Sequence, residues 1–258
     1  FYWMIITSLK QNTEIQSNTQ TFFPNIVMWS NYVYVFKTFD FFTYMKNTII
    51  VAIFSTAGTL ITTVFAAFAF SRLTFKGRDF LFMIFLMTMM IPGEMMVISN
   101  YITVASFGWI GNNQTITQAY LAMIVPFLVS VFHIYLLRQN FKQIPNELYL
   151  AAKVDGTSDF KYLLKIMVPL SLPTLISITI LKMMGAWNSY VWPNLVASDK
   201  SHRLITNGLR NAFTSADGTT EVPTQMAAVA LVSLPLFLVF IFLRKYIMKG
   251  VSRSGIKG

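Results

Sequence analysis

The residues best placed to do specific work lie in one stretch, 143–174, reading QIPNELYLAAKVDGTSDFKYLLKIMVPLSLPT. Glu147, Ala151, Ala152, Asp155 and Gly156 form a helical pattern closed by a glycine, and a second helical pattern runs from Ser158 towards Pro169 and Pro173. None of these residues is arranged to make or break bonds. Pro145 or Asn146 starts a short helix, with the Glu147 carboxylate near its positive end. Ala151 and Ala152 give that helix a low-profile surface suited to a partner's groove. Gly156 lacks a Cβ, so it tolerates the positive φ needed by a reversal after Asp155. The pattern is that of a docking surface or of an amphipathic interfacial loop with no partner. Two other groups stand out. Trp187, Asn188 and Tyr190 close an apolar segment, where aromatic rings suit the headgroup level and an amide needs a partner. Arg203, Asn207 and Arg210 lie in a polar segment, 198–224, that also holds Asn211 and Asp217-Gly218.

The missing constellations narrow the function further. The sequence contains no Gly-x-x-x-x-Gly-Lys-Ser/Thr loop, so it holds no nucleotide in that way, and no His-Glu-x-x-His helix. Its Cys count is 0 and its two histidines, His133 and His202, are far apart, which leaves no metal-ligand spacing and no disulfide. No carboxylate pair falls within the apolar segments, as a proton-coupled carrier or intramembrane enzyme would require. No catalytic residue, metal or cofactor is expected in this chain.

The elements that must position these groups are membrane helices. The 258 residues are 55% hydrophobic and only 12% charged, with mean hydropathy +0.56. A soluble domain carries about twice that charged fraction. The class is an all-α polytopic membrane protein, read as a single domain over 1–258. Crossings are expected at 47–70, 80–98 (broken at Pro92-Gly93), 120–137 (containing Pro126), 170–186 and 226–243. Lys182 lies near the outer end of the fourth of these and is able to snorkel. The segments between are an external loop at 11–46, an external loop at 99–117, a long loop at 138–169 and a tail at 244–258.

The net charge of +10 raises the question of nucleic acid. Position answers it. Most of the Lys and Arg fall in three blocks, 72–78, 138–165 and 244–257. These are the segments that alternate onto one side of the membrane, so the charge sets a cytoplasmic orientation and attracts anionic lipid headgroups. No nucleic-acid partner is implied.

Ala151-Ala152-Lys153-Val154-Asp155-Gly156, followed by Ile166-Met167-Val168-Pro169-Leu170 and Pro173, resembles the EAA loop of ABC importer permeases. Leu137-Arg138-Gln139-Asn140-Phe141 and Ile144-Pro145 fit the maltose-type, carbohydrate-uptake branch. The resemblance extends over nearly the whole chain, with one departure: the glutamate that opens the family's Glu-Ala-Ala triplet is Leu150 here, and Glu147 stands three residues earlier.

The resemblance implies a six-helix type I importer permease fold in which 1–10 is the end of a first helix largely missing from the numbered chain. It implies a bacterial cell-membrane location and import of an oligosaccharide or related polyol, driven by ATP and dependent on a binding protein. The expected partners are a second homologous permease, an ATPase dimer carrying ATP and Mg, an external substrate-binding protein and membrane lipid. Glu147, Ala151, Ala152, Asp155 and Gly156 would couple to the ATPase. Trp187, Asn188 and Tyr190 would lie on the translocation pathway, where Asn188 meets either a sugar hydroxyl or a neighbouring helix. Arg203, Asn207 and Arg210 would meet the binding protein, and the ending Gly255-Ile256-Lys257-Gly258 resembles a tail that approaches the ATPase. The alternative is a secondary transporter or channel without an ATPase, which predicts membrane carboxylates or an inverted repeat.

Overall fold

A computed structural model describes residues 1–17, 21–38, 40–213 and 221–254. Among them the chain is helical throughout, with no strand. In order the helices are α1 (Tyr2–Ser8), α2 (Asn12–Gln16), α3 (Ser30–Thr38), α4 (Phe41–Ser71), α5 (Arg78–Thr88), α6 (Val97–Ser106), α7 (Ile116–Ile124) and α8 (Val131–Gln143). There follow α9 (Asn146–Val154), α10 (Asp159–Tyr162), α11 (Val168–Leu170), α12 (Leu172–Trp187), α13 (Val191–Val196), α14 (Ile205–Phe213) and α15 (Val222–Ser254).

Two stretches, Phe41–Ser71 and Val222–Phe242, are each long and apolar enough to cross a membrane alone. Three bent pairs bring the count to five if each is one crossing: Arg78–Thr88 with Gly93–Ser106, Ile116–Phe127 with Val131–Gln143, and Asp159–Leu170 with Leu172–Trp187. Their bends are 89°, 52° and 80°. Proline accounts for the positions. Pro92, Pro126, Pro169 and Pro173 each lack the N–H that an unbroken helix would donate backwards. A π-helical turn at Leu163–Met167 precedes the third bend. Such a turn absorbs an extra residue at the cost of regular hydrogen bonding.

Several boundaries differ from the sequence expectation. Residues 41–46 are the first turns of α4 rather than the end of an external loop, because Phe41 and Tyr44 are buried and pull those turns into the core. Residues 99–106 are helical as part of α6. Residues 138–143 continue α8, since Leu137, Arg138 and Phe141 share its buried face. The basic tail is helical to Ser254, and the ending 255–258 lies outside the described residues.

The chain divides into two compact units. The first comprises Phe1–Val51, Gly108–Met123 and Ala186–Phe240. Its core gathers Val35, Phe41, Tyr44, Ile205, Ala227, Ala228 and Val232. Gly208 packs directly on the Tyr44 ring, in the space a Cβ would need. The second comprises Ala52–Phe107, Ile124–Gly185 and Ile241–Gly258. Its main core holds Ala67, Phe68, Leu137, Phe141, Ala152, Tyr162, Leu163, Met167, Leu175 and Ile178.

Within the second unit the break between α7 and α8 is itself a packing site. Gly58 of α4 faces Leu128 so closely that no Cβ fits between them. The carbonyls released by the break find new donors: Thr59 Oγ1 to the Phe127 carbonyl at 3.2 Å and Thr62 Oγ1 to the Leu128 carbonyl at 2.6 Å. Lys182 Nζ also donates to the Phe127 carbonyl, at 2.8 Å. Lys182 therefore reaches across to the break in a neighbouring helix pair. The Ser130 hydroxyl caps the restart of α8 by accepting from the His133 amide.

Candidate functional site

The stretch singled out by its residue types folds, in the second unit, as a helix–glycine–helix elbow. Pro145 precedes α9, and Glu147 lies in its first turn. The helix ends where expected. Gly156 has φ +69°, the left-handed conformation that favours glycine. The amides of Asp155, Gly156 and Thr157 donate back to the carbonyls of Ala151 at 3.0 Å, Lys153 at 3.1 Å and Ala152 at 2.8 Å. Ser158 then caps α10 through its hydroxyl, which accepts from the Lys161 amide.

Side chains lock the elbow from within. Lys153 Nζ lies 2.7 Å from Asp159 Oδ1, and the Tyr149 hydroxyl donates to the same oxygen at 2.8 Å. Both charged groups remain well exposed, so the ion pair contributes no more than about 1 kcal/mol. Its hydrogen bond to Asp159 holds the Lys153 ammonium above its ordinary value. Burial, then the Asp159 hydrogen bond, pushes the Tyr149 phenol up. The Tyr149 and Tyr162 rings pack at 5.1 Å between centroids, and Tyr162 is buried. Arg72 anchors the entry: its Nη2 donates to the carbonyls of Phe141 at 2.8 Å and Ile144 at 2.5 Å.

The two alanines do different work. Ala151 faces outward, whereas Ala152 is buried among Leu137, Phe141 and Tyr162. The low-profile surface expected of both belongs to Ala151 alone, because one helix face can point only one way at successive positions. Glu147, Asp155 and Gly156 are exposed. Around them lie exposed apolar side chains that the sequence does not mark as coupling residues: Leu148, Leu150 at 56% exposure, Val154 at 89% and Phe160. Hydropathy alone had no means to find them, since such residues on a short helix usually point inward.

The other two groups belong to the first unit. Trp187 is 2% exposed, and Trp192 is buried with its Nε1 donating to the Ala122 carbonyl at 3.0 Å. Both are core residues rather than members of an interfacial belt, because large rings gain most by full burial. Asn188 is exposed and has no hydrogen-bond partner among the described residues. The Tyr190 carbonyl accepts from Asn207 Nδ2 at 3.0 Å, and the Thr206 hydroxyl donates to the Ser189 carbonyl at 2.6 Å.

Asn207 is therefore corrected as a contact for an external protein. It is fully buried, at 0% exposure, and ties α14 to the turn after α12. Arg210 is exposed, with its guanidinium 4.8 Å from the centre of the Tyr190 ring. Arg203 is half-buried, and its carbonyl accepts from Asn47 Nδ2 at 3.0 Å. Asp217 and Gly218 lie outside the described residues. Among the described residues no group of His, Cys, Asp or Glu has metal-binding geometry.

A model of the family described as "Binding-protein-dependent transport system inner membrane component" matches residues 59–253, which include the whole elbow. The chain is similar to the "Trehalose/maltose transport system permease protein MalG" of Thermococcus litoralis, 30% identical over 260 residues that cover 100% of this chain and 91% of that protein. It is also similar to the "Arabinooligosaccharides transport system permease protein AraQ" of Halalkalibacterium halodurans, 26% identical over 258 residues covering 99% of this chain and 89% of that protein. Its fold matches a chain from the crystal structure of a bacterial ABC transporter involved in the import of the acidic polysaccharide alginate. The TM-score is 0.81 at 23% identity, covering 95% of this chain and 89% of that one.

Proposed function

Because the chain belongs to the family of binding-protein-dependent transport system inner membrane components, we propose that it is the membrane-spanning permease subunit of an ATP-driven carbohydrate importer, carrying an oligosaccharide or related polyol. It pairs with a second, homologous permease, and an ATPase dimer that binds ATP and Mg sits against its cytoplasmic face. An external substrate-binding protein delivers the cargo. This chain performs no catalysis and transmits work.

The observation that carries this reading is the exposed elbow. A locked pair of short helices displays Leu148, Leu150, Val154 and Phe160 together with Ala151, Glu147 and Asp155. Solvent exposure of that many apolar side chains on a rigid element marks an interaction surface. The 80° bend between Asp159–Leu170 and Leu172–Trp187 makes the elbow a lever on the crossing helix. Closure of the ATPase pushes 147–156, tilts α12 and switches the pathway from inward- to outward-facing. Leu150 stands where the family's triplet glutamate would be, so the contact at that position is apolar instead of a salt bridge.

Absence of native cysteine makes the test clean. Val154→Cys, purified in mild detergent with its ATPase subunits, is labelled by a maleimide more slowly than the permease alone, and the ATPase co-purifies. Equal labelling with and without the ATPase, or no ATPase in the complex, refutes the reading.

A further inference from the structure

We infer that Lys182 binds an anionic group on the translocated sugar, so the cargo is a sugar acid or a phosphorylated sugar. The inference rests on the importer reading above and names its substrate class.

Lys182 is ten residues into α12, about 15 Å along the helix from Leu172. Its Nζ ends on the Phe127 carbonyl, at the break that divides Ile116–Phe127 from Val131–Gln143 near the middle of that crossing. An ammonium at that depth is costly and needs compensation. The described residues do not supply it. Among the described residues no carboxylate pairs with Lys182, and the ion pairs present involve Lys10, Arg78, Arg138 and Lys153. One neutral carbonyl occupies one of its three donors.

Lys182 is only half-buried, so its remaining donors are accessible. Lipid tails do not solvate it. Polar groups gather at the break: Thr59 and Thr62 bond to it, while Thr63 Oγ1 of the same helix and His133 Nδ1 at the restart of α8 are buried without hydrogen-bond partners. Such a set is poorly explained by packing alone, since buried polar atoms are normally satisfied. A carboxylate or phosphate against Lys182 completes the charge and leaves the hydroxyls for the sugar.

The test uses the full importer, reconstituted in vesicles with its second permease, ATPase and binding protein. Uptake is measured for a uronic-acid oligosaccharide, a sugar phosphate and an uncharged oligosaccharide of matched size. The expected result is efficient uptake of a charged sugar, a fall in its kcat/KM of about tenfold or more in Lys182→Met, as the loss of one charge-assisted hydrogen bond implies, and retention in Lys182→Arg. The source of the anion is read from the same variants. If Lys182 meets a carboxylate of the second permease instead, Lys182→Met loosens the permease pair on size exclusion and slows every sugar equally, which overturns the inference. Best transport of the uncharged sugar, unchanged in Lys182→Met, also overturns it while leaving the importer reading intact. Uptake of no sugar, together with failure to co-purify an ATPase, rejects the importer reading and this inference with it.

Discussion

Arg72 and Arg138 close each other's helices. Arg72, just past the end of α4, donates to the Phe141 carbonyl in the last turn of α8 and to the carbonyl of its C-cap, Ile144, and Arg138 Nε, from within α8, donates to the Phe70 carbonyl at the end of α4, at 3.0 Å. Each guanidinium thus supplies donors to carbonyls at the C-terminal end of the other's helix, where the dipole is negative. Arg138 is held over the Phe82 ring at 3.8 Å, and its Nη2 lies 3.6 Å from Asp79 Oδ1.

This reciprocity is testable by a double-mutant cycle. Arg72→Ala and Arg138→Ala should each lower stability by about 1.5–3 kcal/mol, the range for hydrogen bonds to charged groups. Because the two arginines brace the same pair of helix ends, the double variant should depart from additivity by about 0.5 kcal/mol or more. Thermal unfolding in detergent reads all three. Simple additivity would mean that the two caps are independent.

Gly156 sits at φ +69° with open space around it. Gly156→Ala should therefore cost only backbone strain, about 1–2 kcal/mol, with no clash. Gly156→Pro removes the amide that donates to the Lys153 carbonyl and imposes a negative φ, so the elbow opens. We expect that variant to reach the membrane yet lose uptake and substrate-stimulated ATPase activity. Normal transport by it would argue against coupling through the elbow.

The adjacent alanines offer a sharper contrast. Ala152→Leu overfills a closed core, costing about 1–3 kcal/mol, and should lower the unfolding temperature. Ala151→Leu, on the outward face, should leave that temperature unchanged and weaken co-purification of the ATPase. If the two variants behave alike, the assignment of faces is wrong.

Asn207 and Arg210 should separate in the opposite sense from a shared surface role. Asn207→Ala removes one of two donors to the Tyr190 carbonyl, which keeps the Asn194 amide, a loss of about 0.5–1.5 kcal/mol, visible in unfolding and not specific to the binding protein. Arg210→Ala should keep the fold and reduce stimulation of transport by the binding protein. A normal response in Arg210→Ala would remove it from the proposed contact.

Much of this protein was legible in its residues because the governing physics is local. Apolar runs and the placement of Lys and Arg mark the crossings and their direction, since lipid rejects charge wherever it occurs. Pro92, Pro126, Pro169 and Pro173 announce the bends because each lacks a donor. Gly156 announces the elbow because its φ is open only to glycine without strain. What sequence could not decide is which face of each helix turns inward, for that depends on neighbours dozens of residues away. Ala151 and Ala152 look alike until Tyr162 and Phe141 arrive on one side of them. Trp187 reads as interfacial until burial claims its ring. Lys182 reads as reaching outward until the break at Phe127 presents a carbonyl. Local chemistry set the crossings, the bends and the hinge; packing across the second unit decided where the hinge is anchored and what its lysine meets.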